Sequence, residues 1–305
     1  MTSFALPELH TEVRETALRF AREVLAKHAE PIDGGEPVPD AIAGQLAELG
    51  FWGIATDESR GGVGFDALAY ALVIEALATG SPSVARRVAV HAGPALAGLA
   101  RTDRDLEGLC GGEHFATFVA GLTPAPAEVY VTASGVATDA TVETIDPMGH
   151  RGAGLARVTA GEVTPFATEG DDPIVWHDLG LAALALGSAR AAMDAAMGYA
   201  KERKQFGRPI ADFQAIQWKI ADSLMAIEGA ALLVHRAALS LDAADAAMAR
   251  AATVRAGLVA TDHALQIHGG YGYTREYPVE RHLRSLRMVG GVDAARTSVA
   301  ARLLL

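Results

Sequence analysis

Apolar residues recur at helical spacing over the first third of the chain. Between Leu9 and Glu30 they fall at Val13, Ala17, Leu18, Phe20, Ala21, Val24 and Leu25, the step of an amphipathic helix. Pro39 and Asp40 open a second helix, and Gly50 closes it after Leu49, as helix start and stop signals do. The run Asp57 to Gly64 holds three glycines and reads as a loop, because a helix pays for each glycine in backbone entropy. Phe65–Ala78 and Ser83–Ala100 are two strongly apolar helices, with a short one near Asp105–Cys110.

The texture changes at Gly111 and Gly112. Short runs follow at Phe115, Thr117 and Val119, then Val129 to Thr132, then Val142 and Thr144, separated by Gly, Pro and Asp. This is a strand pattern. Helical spacing returns in Leu179–Glu202, Phe213–Leu241, Ala243–His268, Val279–Arg287 and Asp293–Leu304. Ile216, Ile220, Leu224 and Ile227 share one helical face, and Gly269 and Gly270 end the third of these helices. The expected fold is therefore mainly α. An N-terminal helical domain covers 1–111, a small β-domain 112–175 and a C-terminal helical bundle 176–305.

Composition sharpens this picture in a few places. Half of the 305 residues are hydrophobic and only 6% aromatic. The apolar content is largely Ala, the best helix former. The net charge of −11 argues against nucleic acid and anionic membrane as partners, since both need clustered Lys and Arg. One cysteine, Cys110, excludes an internal disulfide and suits a cytoplasmic setting; it is expected to be a small buried residue. No charge-free apolar run reaches membrane-spanning length and no secretory leader is read. Ten histidines form no H-E-x-x-H, so no metal site is expected. There is no P-loop and no G-x-S-x-G.

Two segments carry chemistry. Arg203-Lys204-Gln205-Phe206-Gly207-Arg208-Pro209, followed by Phe213-Gln214, joins two long helices through a tight turn. Turn chemistry explains Gly207 and Pro209 but not the Arg, the glutamines and the Phe around them. The second is Gln266-Ile267-His268-Gly269-Gly270-Tyr271-Gly272. Glycines at a helix end let backbone N–H groups approach a phosphate.

Together with the Glu58, Gly61, Gly62, Gly64 loop and the Glu276-Tyr277-Pro278-Val279-Glu280-Arg281 run, these segments make the chain resemble the acyl-CoA dehydrogenase family along its whole length. The resemblance implies a helical domain, a β-domain and a C-terminal four-helix bundle. It implies FAD as cofactor, an acyl-CoA thioester as substrate, and electron-transfer flavoprotein or another acceptor as partner. Arg203, Phe206 and Gln214 would contact the FAD adenine and pyrophosphate. Gln266, Ile267, His268, Gly269 and Gly270 would reach FAD across a subunit interface, in at least a dimer.

The chain departs from the family where the chemistry sits. Members take the substrate α-proton with a Glu near the C-terminus. Counting back from Ala301-Arg302 puts Gly290 there, followed by Gly291, Val292, Asp293 and Ala294, and glycine cannot accept a proton. Some relatives carry the base where His177 and Asp178 fall here. Of the two, Asp178 also reads as a helix N-cap before Leu179, and His177 as a partly exposed surface residue. Glu280 and Arg281 read as a structural pair. Of the segments that hold the flavin ring only Thr123-Pro124 has an echo, so the β-domain is truncated. The expectation is the base-lacking subunit of a heteromer with a full-length relative, acting in fatty acid or steroid degradation. The alternative is a scaffold or repurposed acyl-thioester-binding protein without dehydrogenase activity.

Overall fold

The computed structural model describes residues 6–290. The helix expected at Asp293–Leu304, and the positions of Gly291 to Ala294 and Ala301-Arg302, lie outside the described residues. Helix α1 (Glu8–Phe20) passes through a π-turn at Ala21–Leu25 into α2 (Ala26–Gly34). Asp40–Glu48 forms α3, and Ala67–Gly80 forms α4. The single helix expected over Ser83–Ala100 is three pieces: α5 (Pro82–Val90), a π-turn at His91–Ala95 and α6 (Leu96–Leu99). Pro94 lies inside the π-turn, where its missing N–H breaks the regular ladder. Glu107–Cys110 is α7, and Cys110 is buried as expected.

The β-region comprises two small sheets. The first has the order β1 (Ala116–Phe118), β3 (Val129–Val131), β4 (Gly135–Ala137) and β7 (Thr164–Pro165). The second has the order β2 (Leu122–Pro124), β6 (Leu155–Ala160) and β5 (Ala140–Thr144). A two-stranded hairpin, β8 (Lys204–Gln205) and β9 (Arg208–Pro209), forms the turn between the first two bundle helices.

The bundle consists of α8 (Pro173–Glu202), α9 (Gln214–Ser240), α10 (Ala243–His268) and α11 (Val279–Val289). Helix α8 starts six residues before Leu179. Its cap is Asp172, whose carboxylate accepts from Ile174 N–H. Asp178 is therefore not the cap. Helices α8 and α9 are long and apolar enough to cross a bilayer by length and composition, but most of the apolar stretch of α8 is buried inside the protein. It is the core helix that joins the N-terminal helices to the bundle.

Small residues set how closely α4 and α8 approach. A Cβ at Gly187 would overlap the backbone oxygen of Glu75. Further along, Tyr70 fills the space that a side chain at Gly180 would need, and its hydroxyl donates to Ala89 O at 2.8 Å. Arg190 then ties the contact together, donating to Glu75 and to Glu228 on α9.

Because backbone cannot give way as a flexible side chain can, Gly187→Ala should cost about 1–3 kcal/mol. Gly198, exposed on the same helix with open space around it, is the control. Gly198→Ala should stabilise by about 0.5–1 kcal/mol. Urea unfolding of both variants checks the pair.

Candidate functional site

The residues at the reaction-centre positions form a buried cluster where all three regions meet. His177 and Asp178 lie on α8 and are only 8% and 6% exposed. Asp178 accepts from Arg250 Nη1 of α10 at 2.8 Å, and its Oδ1 is 3.7 Å from His177 Nδ1. Burial works to raise the Asp178 carboxyl, but His177 and Arg250 outweigh it and hold it below the usual carboxylate range. The His177 ring packs on Phe118 of β1. Burial lowers its pKa to about 4, a shift that Asp178 only partly offsets. His177 is thus a core histidine, not the surface residue expected, and Asp178 is a committed ion-pair partner.

Arg250 also reaches Gly290, which the sequence count puts at the family's Glu position. Its Nη2 donates to Val289 O at 2.8 Å, and a Cβ on Gly290 would overlap that nitrogen. Gly290 itself has φ +114°, a conformation L side chains rarely adopt. The guanidinium stands where a side chain from this position would project.

The second assembly is a depression of about 470 Å³ at the far end of the bundle. Tyr199, Arg203, Gln205 and Ile210 line one side, and Ile267 to Tyr271 with Thr274 line the other. The His268 ring forms part of the floor, stacked on Tyr199 at 4.4 Å, with Nδ1 2.8 Å from Ala264 O and Nε2 buried without a partner. Gly269 has φ +60°, and Cβ atoms on Gly269 and Gly270 would meet nothing within 4 Å. Phe206 is 93% exposed at φ +52°, edge-on to Phe213. It projects from the hairpin rather than lining the depression. Gln214 and Gln266 are exposed and do not line it either.

Family models for "Acyl-CoA dehydrogenase, N-terminal domain" and "Acyl-CoA dehydrogenase, C-terminal domain" match residues 7–102 and 176–305. Benzylmalonyl-CoA dehydrogenase of Aromatoleum aromaticum is 31% identical over 359 residues, covering 94% of this chain and 95% of the relative. The chain belongs to the acyl-CoA dehydrogenase family. A shorter match, 46% identical over 134 residues, joins 41% of the chain to 34% of a 3-sulfinopropanoyl-CoA desulfinase of Cupriavidus necator. The structure of butyryl-CoA dehydrogenase from Megasphaera elsdenii superposes with TM-score 0.88 at 24% identity, covering all of both chains. That likeness is one of fold.

Set against what the acyl-CoA dehydrogenase resemblance implies, Arg203 and the 267–270 segment share one depression within a single chain. An exposed guanidinium and open space above two glycines fit a pyrophosphate, whereas the His268 ring, whose Nδ1–H is donated to Ala264 O, has only an acceptor left at Nε2 and serves as floor. Thr123, the echo of the ring-binding segment, is 1% exposed and its hydroxyl donates to Phe118 O, so it serves the sheet. Glu280 pairs with Arg284 rather than with Arg281, which lies 3.6 Å from Asp33. Sequence reading missed Arg250. An arginine flanked by alanines in Ala246-Ala247-Met248-Ala249-Arg250-Ala251-Ala252 was the available signal, since such a stretch otherwise packs as core.

Buried histidines give a pH signature. His91 accepts from Ala116 N–H at 3.0 Å through Nδ1, which leaves Nε2 to donate to Leu109 O at 3.0 Å, a neutral ring. Burial lowers His91 and His177 to about 4 and His282 to about 3. Below the unfolded value near 6.5, the unfolded chain binds protons that the folded one refuses. Each ring then removes about 1.4 kcal/mol per pH unit. The urea midpoint should fall steadily from pH 7 to pH 5; a flat profile would contradict three neutral buried rings.

Proposed function

We propose that this chain acts on an acyl-CoA thioester with FAD, as the base-lacking subunit of a heteromer with a complete acyl-CoA dehydrogenase. The observation that carries this reading is Arg250 standing in front of Gly290, with Asp178 held as its counter-ion. Neither carboxylate position of the family offers a proton acceptor here. Bound FAD would supply hydride acceptance. This chain's part is to hold the pyrophosphate through Arg203 and the backbone of Gly269 and Gly270, and to present Phe206 to a neighbouring subunit. The electrons would leave through electron-transfer flavoprotein or a comparable acceptor.

The outer face of α9 supports assembly. Trp218, Met225, Leu232 and Leu239 are 61%, 67%, 50% and 73% exposed. They recur every seven residues, so they form one long apolar stripe. Exposed contiguous apolar surface of this kind marks an interaction face.

Three measurements test the reading. The chain purified alone should be colourless, and should gain visible flavin absorbance and butyryl-CoA oxidation only when co-expressed with a complete relative from the same genome. Stoichiometric flavin and turnover in the lone chain would sink the heteromer, and flavin in neither preparation would favour the scaffold. Gly290→Glu should gain no activity and lose about 1–3 kcal/mol of stability by overpacking. Met225→Glu with Leu232→Glu should break the oligomer by light scattering while the circular dichroism of the subunit is retained.

A further inference from the structure

A cavity of about 400 Å³ opens between the N-terminal helices and the β-region. It shares no lining residue with the depression at the end of the bundle, and none of His177, Asp178 and Gly290 lines it. Arg87 of α5 is half-buried in one wall. Its Nη1 donates to Ala153 O at 3.3 Å, and its guanidinium lies 4.3 Å from the centre of the Phe115 ring. Among the described residues no acceptor meets its Nε or Nη2, and no carboxylate comes within ion-pair distance of it. Burial lowers its pKa, and Glu128 offsets this only in part. Glu128 itself accepts from Phe115 N–H at 2.6 Å and lies 3.9 Å from His114. The other charges at the cavity have their own roles. Arg151 pairs with Asp146 at 2.8 Å. Asp40 is exposed in the first turn of α3, where the helix dipole favours a carboxylate. Arg87 is left without a counter-ion.

The rest of the lining is mostly apolar. Trp52 spends its indole N–H on Ala43 O at 3.1 Å and stands edge-on to Phe115. A Cβ on Gly112 would overlap the indole, so the loop packs directly on that ring. Pro37, Val38 and Pro126 continue the wall. Apolar walls with one oriented polar group are the pattern of a small-molecule site, in which that group fixes the ligand. A guanidinium with donors to spare matches a carboxylate, whose two oxygens it meets in parallel. Aromatic and proline walls suit a flat ring. The carboxyl of a simple acyl-CoA is consumed in the thioester, so it does not supply the anion that Arg87 lacks. We propose that this cavity binds a flat aromatic carboxylic acid as a free ligand. Its carboxylate meets Nε and Nη2 of Arg87, and its ring lies among Trp52, Phe115 and Pro126. The assignment goes beyond the acyl-CoA reading and does not depend on it.

Calorimetric titration of the protein as purified, with its partner subunit where one co-purifies, tests the assignment. The probes are benzoate, its neutral isostere benzamide, and inorganic phosphate. Benzoate should bind roughly 10- to 100-fold more tightly than benzamide, the range for one charge-assisted contact. Arg87→Gln should erase that preference and leave benzamide binding unchanged. Arg87→Lys keeps the charge without the planar pair of donors and should retain part of the preference; it carries the test if the Gln variant does not fold. Saturation with butyryl-CoA should leave benzoate binding as it was. Equal binding of acid and amide, or a preference that survives in Arg87→Gln, overturns the role of Arg87. Phosphate binding as tightly as benzoate overturns the aromatic body. Displacement of benzoate by butyryl-CoA overturns the separate ligand, and binding of neither benzoate nor benzamide overturns the whole proposal. None of these outcomes bears on whether the chain acts on an acyl-CoA.

Discussion

The bundle is organised around the contact between Arg250 and Asp178. One guanidinium on α10 reaches a carboxylate on α8 and the last backbone oxygen of α11, so a single side chain ties three helices at the point where they meet the β-region. Taking either partner away would leave the other charged in a low-dielectric interior, at a cost of about 3–5 kcal/mol. The contact also commits the Asp178 carboxylate to an ion pair and fills the space in front of Gly290.

The sheets and hairpin depend on that frame more than on their own pairing. Strands of two or three residues bury little on their own. They are held by side chains that cross between the layers: His91 meets Ala116 and Arg86 meets Leu122 from the helical side, and His150 of the β-region reaches Pro82 and Ser285 on the helices. The β-region is closer to a lid pinned by helical polar groups than to a self-supporting domain.

Long helices were legible in the sequence. Ala243–His268 is recovered to the residue, because Asp242 caps it and Gly269 ends it, and both signals are local. The start of α8 was missed, since Asp172-Pro173 and Asp178-Leu179 are rival caps, and the choice between them is made by burial of Val175 and Trp176 against the N-terminal helices. Strands β2, β4 and β6 escaped because runs such as Leu122-Thr123-Pro124 have no alternation to read. The cofactor segments were legible as motifs, but that Arg203 and 267–270 line one depression of a single chain was not, since the resemblance implies that 266–270 reach FAD across a subunit interface. What the motifs could not convey was that Phe206 and Gln214 are exposed and do not line that depression. The Asp178–Arg250 contact was invisible because its partners come from helices α8 and α10, far apart in the chain.

The apolar stripe of α9 has a consequence for how the protein exists in a cell. If much of its hydrophobic stabilisation is shared with neighbouring subunits, folding and assembly are one equilibrium, and the folded fraction rises with protomer concentration. Supply of whatever subunit covers the stripe, a second copy included, would then set the lifetime of this chain, and expression level rather than intrinsic stability would control its abundance.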